Sequence, residues 1–388
     1  MRVFITSGQL VTCDKITEGS LVIQNGKIVE VGYKGEIPYE AKVIDAQGMY
    51  VMPGFVEIHA HGGGGCDFMD GTVEAFNTIA KLHKSHGTTT ILPTTVACST
   101  ESMLKMFDTY RMALTGEKII NYGGLHLEGP FISHEMRGAQ NPDFVRCPTK
   151  NEVDTLLHYG GDIIRKCTVA PEIDGVDYLT DELRKRNIAL SIGHSNGVYS
   201  DVEAAYRMGY CHITHMYSNT PSVRKINQVM YAGIIEAAYS IDEMCVEFIG
   251  DGHHLPKEVL KMALKIKGAD RINLTSDAMR AAGTDVLESF LGECREENRV
   301  IIEDGVAKLP DRSYYAGSIT TGDKMLRWAV NDCGVSICDA VKMLSLTPAN
   351  IVGLSAQKGS LEVGKDADIV IADKDLNVKA TYIFDDFN

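Results

Sequence analysis

Between Phe55 and Thr275 the chain alternates eight short, apolar, β-rich runs with stretches of helical spacing. The runs are Phe55–Ala60, Thr88–Leu92, Tyr122–Leu127, Cys167–Ala170, Ile188–Ile192, His212–Thr214, Cys245–Ile249 and Ile272–Thr275. Helical spacing falls at Val73–Ser85, Glu101–Leu114, Asn151–Tyr159, Asp181–Arg186, Val202–Met208 and Lys257–Lys265. Parallel strands joined by crossover helices satisfy such a pattern, and eight of them make an α/β fold of the (β/α)8 TIM-barrel kind. A doubly wound open sheet is the rival, but no glycine fingerprint for a dinucleotide is present.

The two ends read differently. Val3–Ile5, Ser20–Ile23 and Lys27–Val31 are short β-rich runs, and Asn25-Gly26 is a hairpin signal. Ala367–Ala372 and Lys379–Phe384 have the same character, after the turn-rich GSLEVGKD. We therefore expect a small β-sandwich domain built from both termini, 1–52 plus 350–388, beside a catalytic barrel spanning 53–349.

Charge narrows the partners. A formal charge of −14 argues against nucleic acid or an anionic membrane. It also means that an anionic substrate needs local cations or a metal. The N-terminal MRVFITSGQL lacks a long apolar core, and no stretch reaches membrane-spanning length. Ten cysteines without a Cys-x-x-Cys pair read as free thiols of a reducing cytoplasm.

Polar residues then fall in one place. His59 and His61 are two apart on the first strand, so their side chains share a face, and four glycines follow. Glu128 follows GGLHL, His194 follows IALSIG, and His215 follows CHIT. His253 and His254 follow VEFIGDG, and Asp277 follows INLTS. All these positions lie at or just past C-terminal strand ends, the face on which barrels carry their chemistry. Imidazoles and carboxylates without thiolates suit zinc, iron, manganese or cobalt. A carboxylate such as Glu128 is able to bridge two ions. A bound divalent ion lowers the pKa of a water and polarises a carbonyl, and Asp277 is positioned to move the water's proton. That chemistry is hydrolysis of an amide-like carbon. A serine nucleophile is less attractive, since no Gly-x-Ser-x-Gly elbow is present.

The segments FVEIHAHGGGGCDFMD, GLHLEGPFIS, SIGHS, LTSDAM, YAGS, SLTPANIVGL and GSLEVGKDADIVIAD resemble the N-acetylglucosamine-6-phosphate deacetylases of the amidohydrolase superfamily. The resemblance spans nearly the whole chain. It implies a cytoplasmic, homodimeric metal-dependent hydrolase with one or two divalent ions per chain, zinc or iron first. Its substrate would be N-acetylglucosamine 6-phosphate, a small molecule of amino-sugar metabolism, cleaved to glucosamine 6-phosphate and acetate. Residue by residue, it implies Glu128, His194 and His215 as metal ligands, with His59 and His61 for a second ion. Asp277 matches the acid/base. His254, Ala139, Gln140, Asn219, Thr220 and the Ala316, Gly317, Ser318 loop match substrate contacts.

Three departures bear on the substrate. Gln140 stands where members usually have a histidine, and HMYSNTPS is one residue longer than the family's run, with Asn219 the best match to its asparagine. The family's His-Arg-Glu-Pro-Gly segment, whose arginine meets the sugar phosphate, is replaced by SVRKINQVM. Arg224 or Lys225 is the candidate replacement there. A related hexosamine such as N-acetylgalactosamine 6-phosphate, or a cyclic amidase or deaminase reaction, are the alternatives. The amidase reading lacks a lysine at the end of the fourth strand, CTVAPE. A catalytically silent binding module would require a missing ligand or acid/base, and Glu128, His194, His215 and Asp277 are all present.

Overall fold

A computed structural model describes residues 2–387. Its centre is a curled parallel sheet. The strands are β1 (Phe55–Ala60), β2 (Thr88–Pro93), β3 (Leu125–Glu128), β4 (Ile164–Val169), β5 (Ala189–Ile192), β6 (His212–Ile213), β7 (Cys245–Ile249) and β8 (Ile272–Thr275). Strands β3 to β8 lie side by side in chain order, and β1 pairs with β2 in a second sheet. Parallel bridges between Thr94 and His126, and between Ala60 and Ala278, connect the two sheets at either side. Every residue of β1 and β2 is buried, as parallel strands covered on both faces require.

Helices fill the connections. The helix Val73–Ser85 buries Phe76, Ile79, Ala80 and His83 on one face, and Thr72 caps it by accepting from the Ala75 amide. Ser99 and Thr149 cap the helices Thr100–Leu114 and Lys150–Gly160 in the same way. One expected element divides. The run Tyr122–Leu127 reads as a single strand in sequence, but Asn121–Tyr122 pairs with β2 while Leu125 begins β3. Gly123-Gly124 makes the break: Gly124 has φ +117°, and a Cβ there would stand 2.7 Å from the Arg165 Cβ.

The terminal strands form two further sheets. Strands Arg2–Thr6, Ser20–Gln24, Lys27–Tyr33 and Lys42–Asp45 make one. Gln9–Val11, Ile16–Glu18 and Tyr50–Pro53 join Ile369–Ala372 and Val378–Tyr382 in the other. Ile5, Leu21 and Ile23 from the first sheet share a buried apolar cluster with Leu10, Val51, Ile369 and Ile371 from the second. This cluster is separate from the larger core around the parallel strands. Asn25 and Gly26 both have positive φ, +50° and +67°, as a tight hairpin turn demands.

Two antiparallel units are not anticipated by the sequence. One is the hairpin Arg224–Ile226 with Val229–Tyr231. The other is a three-stranded meander, Glu288–Phe290, Arg299–Glu303 and Val306–Lys308. Among the described residues no helix is long and apolar enough to cross a membrane.

Candidate metal centre and pocket

The C-terminal ends of five strands bring six polar residues to one point. His59 lies on β1 with His61 just beyond it, and Glu128 ends β3. His194, His215 and Asp277 each lie two residues past β5, β6 and β8. These last three share a backbone feature: φ is +47°, +28° and +47°. Left-handed φ is uncommon outside glycine, and such residues cluster at functional sites. Just after His61 the chain folds back on itself: Gly62–Gly63 pairs with Cys66–Asp67 across Gly64 and Gly65, both at positive φ. That turn is the use the glycine run serves.

Glu128 is the hub. Its Oε1 lies 2.8 Å from His215 Nε2 and 3.3 Å from the Nε2 atoms of His59 and His194. Its Oε2 lies 3.4 Å from His61 Nε2. Asp277 Oδ1 is 3.1 Å from His61 Nε2 and 3.4 Å from His59 Nε2. Two donor groups therefore share Glu128, His59–His61–Glu128 and Glu128–His194–His215, each with its donor atoms within 4.8 Å of one another.

Whether these residues suit a metal is decided by their nitrogens. His59 Nδ1 donates to Glu247 at 2.7 Å, and His194 Nδ1 donates to the Met136 carbonyl at 2.9 Å. Each bond puts the proton on Nδ1 and leaves Nε2 with a lone pair facing the cluster. His59 Nε2 is buried with no hydrogen-bond partner, and the Nε2 atoms of His194 and His215 face each other at 3.1 Å. Lone pairs converging around a carboxylate fit a divalent ion with nitrogen and oxygen ligands.

Burial by itself pushes the Glu128 and Asp277 carboxyls up. For Glu128 the electrostatic influence of the imidazoles, His59 first and then His194, a part that a bound cation would take over where their Nε2 atoms are lone pairs, outweighs it and holds the group well below the usual carboxylate range. His59 and His61 do the same for Asp277, so both are carboxylates at neutral pH.

A second layer holds the first. The fully buried Glu247 of β7 accepts from His59, from Lys166 Nζ at 2.8 Å, from Asn273 Nδ2 at 3.1 Å and from the His215 amide at 3.2 Å. Glu57 accepts from the His59 amide at 2.9 Å, the Ser276 amide at 2.8 Å and the Thr275 hydroxyl. It thus ties β1 to the start of the Asp277 turn. Glu57, Lys166 and Glu247 escape motif reasoning because they stand mid-strand rather than at strand ends. The signal for them is a charge inside an otherwise apolar run, as in FVEIHA and CVEFI, which is costly unless partnered.

A cavity of about 490 Å³ opens over the cluster. Besides His61, Glu128, His194, His215 and Asp277, its walls include Ala139, Gln140, Asn219, His254 and Gly317. Gln140 donates from Nε2 to Glu128 Oε2 at 2.8 Å, and its Oε1 accepts from the Ala97 amide at 2.5 Å. His254 is held by Asp251 at 2.7 Å and packs its ring on Tyr315, centroids 4.7 Å apart.

Other expected contacts lie elsewhere. Ala316 and Ser318 are buried on either side of Gly317, and the Ser318 hydroxyl donates to the Ser276 carbonyl at 2.5 Å. The Thr220 hydroxyl accepts from the Tyr217 amide at 2.9 Å. His253, unlike His254, is exposed and is not part of the cavity wall. Arg224 sits on the hairpin outside the wall, with Nη2 donating to the Asn196 carbonyl and Nη1 buried without a partner. The meander instead brings Lys308, Arg312, Tyr314 and Tyr315 to the wall. Its sequence signal is Asp304-Gly305, a hairpin dipeptide with φ +55° and +79° between two β-rich runs.

Residues 50–388 match the amidohydrolase family. The N-acetylglucosamine-6-phosphate deacetylase of Haemophilus influenzae is 30% identical over 376 residues, covering 93% of each chain. That of Bacillus subtilis is 30% identical over 94% of this chain and 91% of its own. Among solved structures, the N-acetylglucosamine-6-phosphate deacetylase of Pasteurella multocida superposes with a TM-score of 0.91 at 27% identity, over 99% of this chain and 98% of that one. The Thermotoga maritima enzyme of the same name gives 0.86 at 31% identity over 98% of both.

Proposed function

The chain belongs to the amidohydrolase family, among its N-acetylglucosamine-6-phosphate deacetylases, and on that premise we propose how its residues remove the acetyl group from N-acetylglucosamine 6-phosphate. The observation that carries the reading is Glu128, shared by two histidine groups, with the Asp277 carboxylate beside them at the floor of a cavity sized for a sugar. Glu128, His194 and His215 would hold one divalent ion, and His59 and His61 with Glu128 would offer ligands for a second; zinc or iron would suit either set. Such an ion supplies Lewis acidity, activating a water and polarising the acetamide carbonyl.

The protein's own groups do the rest. Asp277, ionised and aimed at the cluster, accepts the proton of the attacking water as its oxygen adds to the acetamide carbon. The resulting tetrahedral oxyanion lies within the walls that carry His254 and Gln140, and the His254 ring is fixed in orientation by its bond to Asp251. Asp277 then gives its proton to the sugar nitrogen as the C–N bond breaks, releasing acetate and the free amine. Gln140 fixes the Glu128 carboxylate, while Ala139, Asn219 and Gly317 shape the wall that receives the sugar.

Eight parallel strands in chain order, with bridges closing either side, support a (β/α)8 barrel over 53–349. The shared apolar cluster of the terminal strands supports a small β-sandwich of 1–52 and 350–388. Ten free cysteines agree with a cytoplasmic setting. Val223, Val229, Met230 and Tyr231, exposed on and beside one hairpin, offer a face for a homodimer. A cyclic amidase reading gains nothing from Lys166, whose ammonium is bound to Glu247 away from the cluster.

Incubating the metal-loaded protein with N-acetylglucosamine 6-phosphate, N-acetylgalactosamine 6-phosphate and their unphosphorylated sugars, and assaying acetate, tests the reading. Release from the first is expected. Release from none of them would sink it.

A further inference from the structure

A hexosamine phosphate brings a dianion into a chain of net charge −14, whose pocket floor already holds two carboxylates, Glu128 and Asp277. Something at the far end of the cavity must answer that charge. Within one chain the hairpin that replaces the family's arginine segment does not, because Arg224 is turned to the Asn196 carbonyl and neither it nor Lys225 is part of the wall.

Among the described residues, Lys308 and Arg312 are the only lysine and arginine lining the cavity. Both belong to the meander's last strand and the loop that returns from it to Tyr315. Arg312, with its side chain 58% exposed against 3% and 9% for Glu128 and Asp277, stands at the mouth, and Lys308, 14% exposed, lines the same cavity. A sugar whose acetamide reaches the floor points its opposite end toward them.

We infer that Lys308 and Arg312 form the phosphate-binding end of this pocket, taking over on the same chain the role expected of Arg224. The inference rests on the deacetylase reading above. The two cations are held in place rather than consumed by their present partners. Lys308 Nζ is 2.7 Å from Asp304 and 3.4 Å from Glu303, and Arg312 makes two bonds to Glu303 at 2.9 and 3.1 Å. Asp304 is solvent-exposed and Glu303 partly so, and water screens both pairs. A phosphate dianion forms stronger, charge-assisted bonds to a guanidinium and an ammonium, which it meets already extended toward the cavity. Tyr315, packed on His254, joins the mouth to the wall that faces the reacting carbon.

The test compares kcat and KM for N-acetylglucosamine 6-phosphate and N-acetylglucosamine in the wild type, a Lys308→Ala/Arg312→Ala variant, and Arg224→Ala. In the double variant KM for the phosphorylated sugar rises about tenfold or more with kcat nearly kept, the mark of lost uniform binding. The preference for the phosphorylated sugar in kcat/KM falls by the same factor, and Arg224→Ala keeps that preference. An unchanged preference in the double variant, or its loss in Arg224→Ala instead, overturns the assignment. Absence of acetate from both sugars in the wild type overturns the deacetylase reading itself, an outcome distinct from the other two.

Discussion

His59 Nδ1 donates to Glu247 Oε1 across 2.7 Å, in a place where neither side chain is exposed. One carboxylate thereby sets the tautomer of His59, and through the His215 amide it also braces a second histidine of the cluster. Lys166, bonded to the other oxygen of Glu247, keeps that carboxylate charged by outweighing its burial.

The first prediction concerns that bond. Glu247→Gln lowers affinity for the ion held by His59, His61 and Glu128 by roughly 10–100-fold, the usual effect of losing such a partner. The ion held by Glu128, His194 and His215 stays. Because Lys166 is left unpaired in this variant, Lys166→Met/Glu247→Gln serves as the folding control. Metal content per chain against free metal concentration reads both sites, and two unchanged affinities would refute the role given to Glu247.

Gln140 links the Glu128 carboxylate to the Ala97 amide. Gln140→Ala frees Glu128 Oε2 and strands a buried N–H, which costs stability of about 1–3 kcal/mol. Acetate release falls as well, since the carboxylate loses its fixed orientation. Chemical denaturation and turnover measured on the same sample check the pair of effects. A variant as stable and as active as the wild type would show that Gln140 is a passive wall.

His83 gives a pH dependence. It is fully buried under the glycine turn, its Nε2 3.0 Å from the Gly62 carbonyl, and burial lowers its pKa from 6.5 to about 4. The unfolded chain therefore binds this proton first as pH falls. The stability due to neutral His83 is whole above about 6.5, declines as pH drops through that value, and is fully lost below about 4. The shift corresponds to about 3 kcal/mol. In His83→Gln, whose amide keeps a donor for Gly62, the loss of stability between pH 7 and pH 4 shrinks by about that amount. Urea unfolding at the two pH values measures it, and an unaltered pH dependence would contradict the account.

Much of this architecture is legible in the sequence because it obeys periodicity. The apolar runs that form β1, β7 and β8 match their strands to within a residue, since a strand buried on both faces has no polar alternation to confuse it. His59, His61, Glu128, His194, His215 and Asp277 group together on paper because strand ends are visible in sequence. The left-handed backbone of the later ones is not visible, as nothing in SIGHS or LTSD marks φ +47° at a histidine or an aspartate. Glu247 and Lys166 stay hidden since their meaning lies in a contact 81 positions apart. Lys308 and Arg312 escape for a different reason: their segment is short-stranded and rich in charge, which resembles loop.

The central claim is that Asp277 moves the proton while the histidines and Glu128 hold the metal. It is tested most directly by acetate release from N-acetylglucosamine 6-phosphate, comparing wild type and Asp277→Asn at equal measured metal content. The account predicts turnover in the wild type and a loss of about 10²–10⁴-fold in the variant. Equal turnover at equal metal content would contradict it.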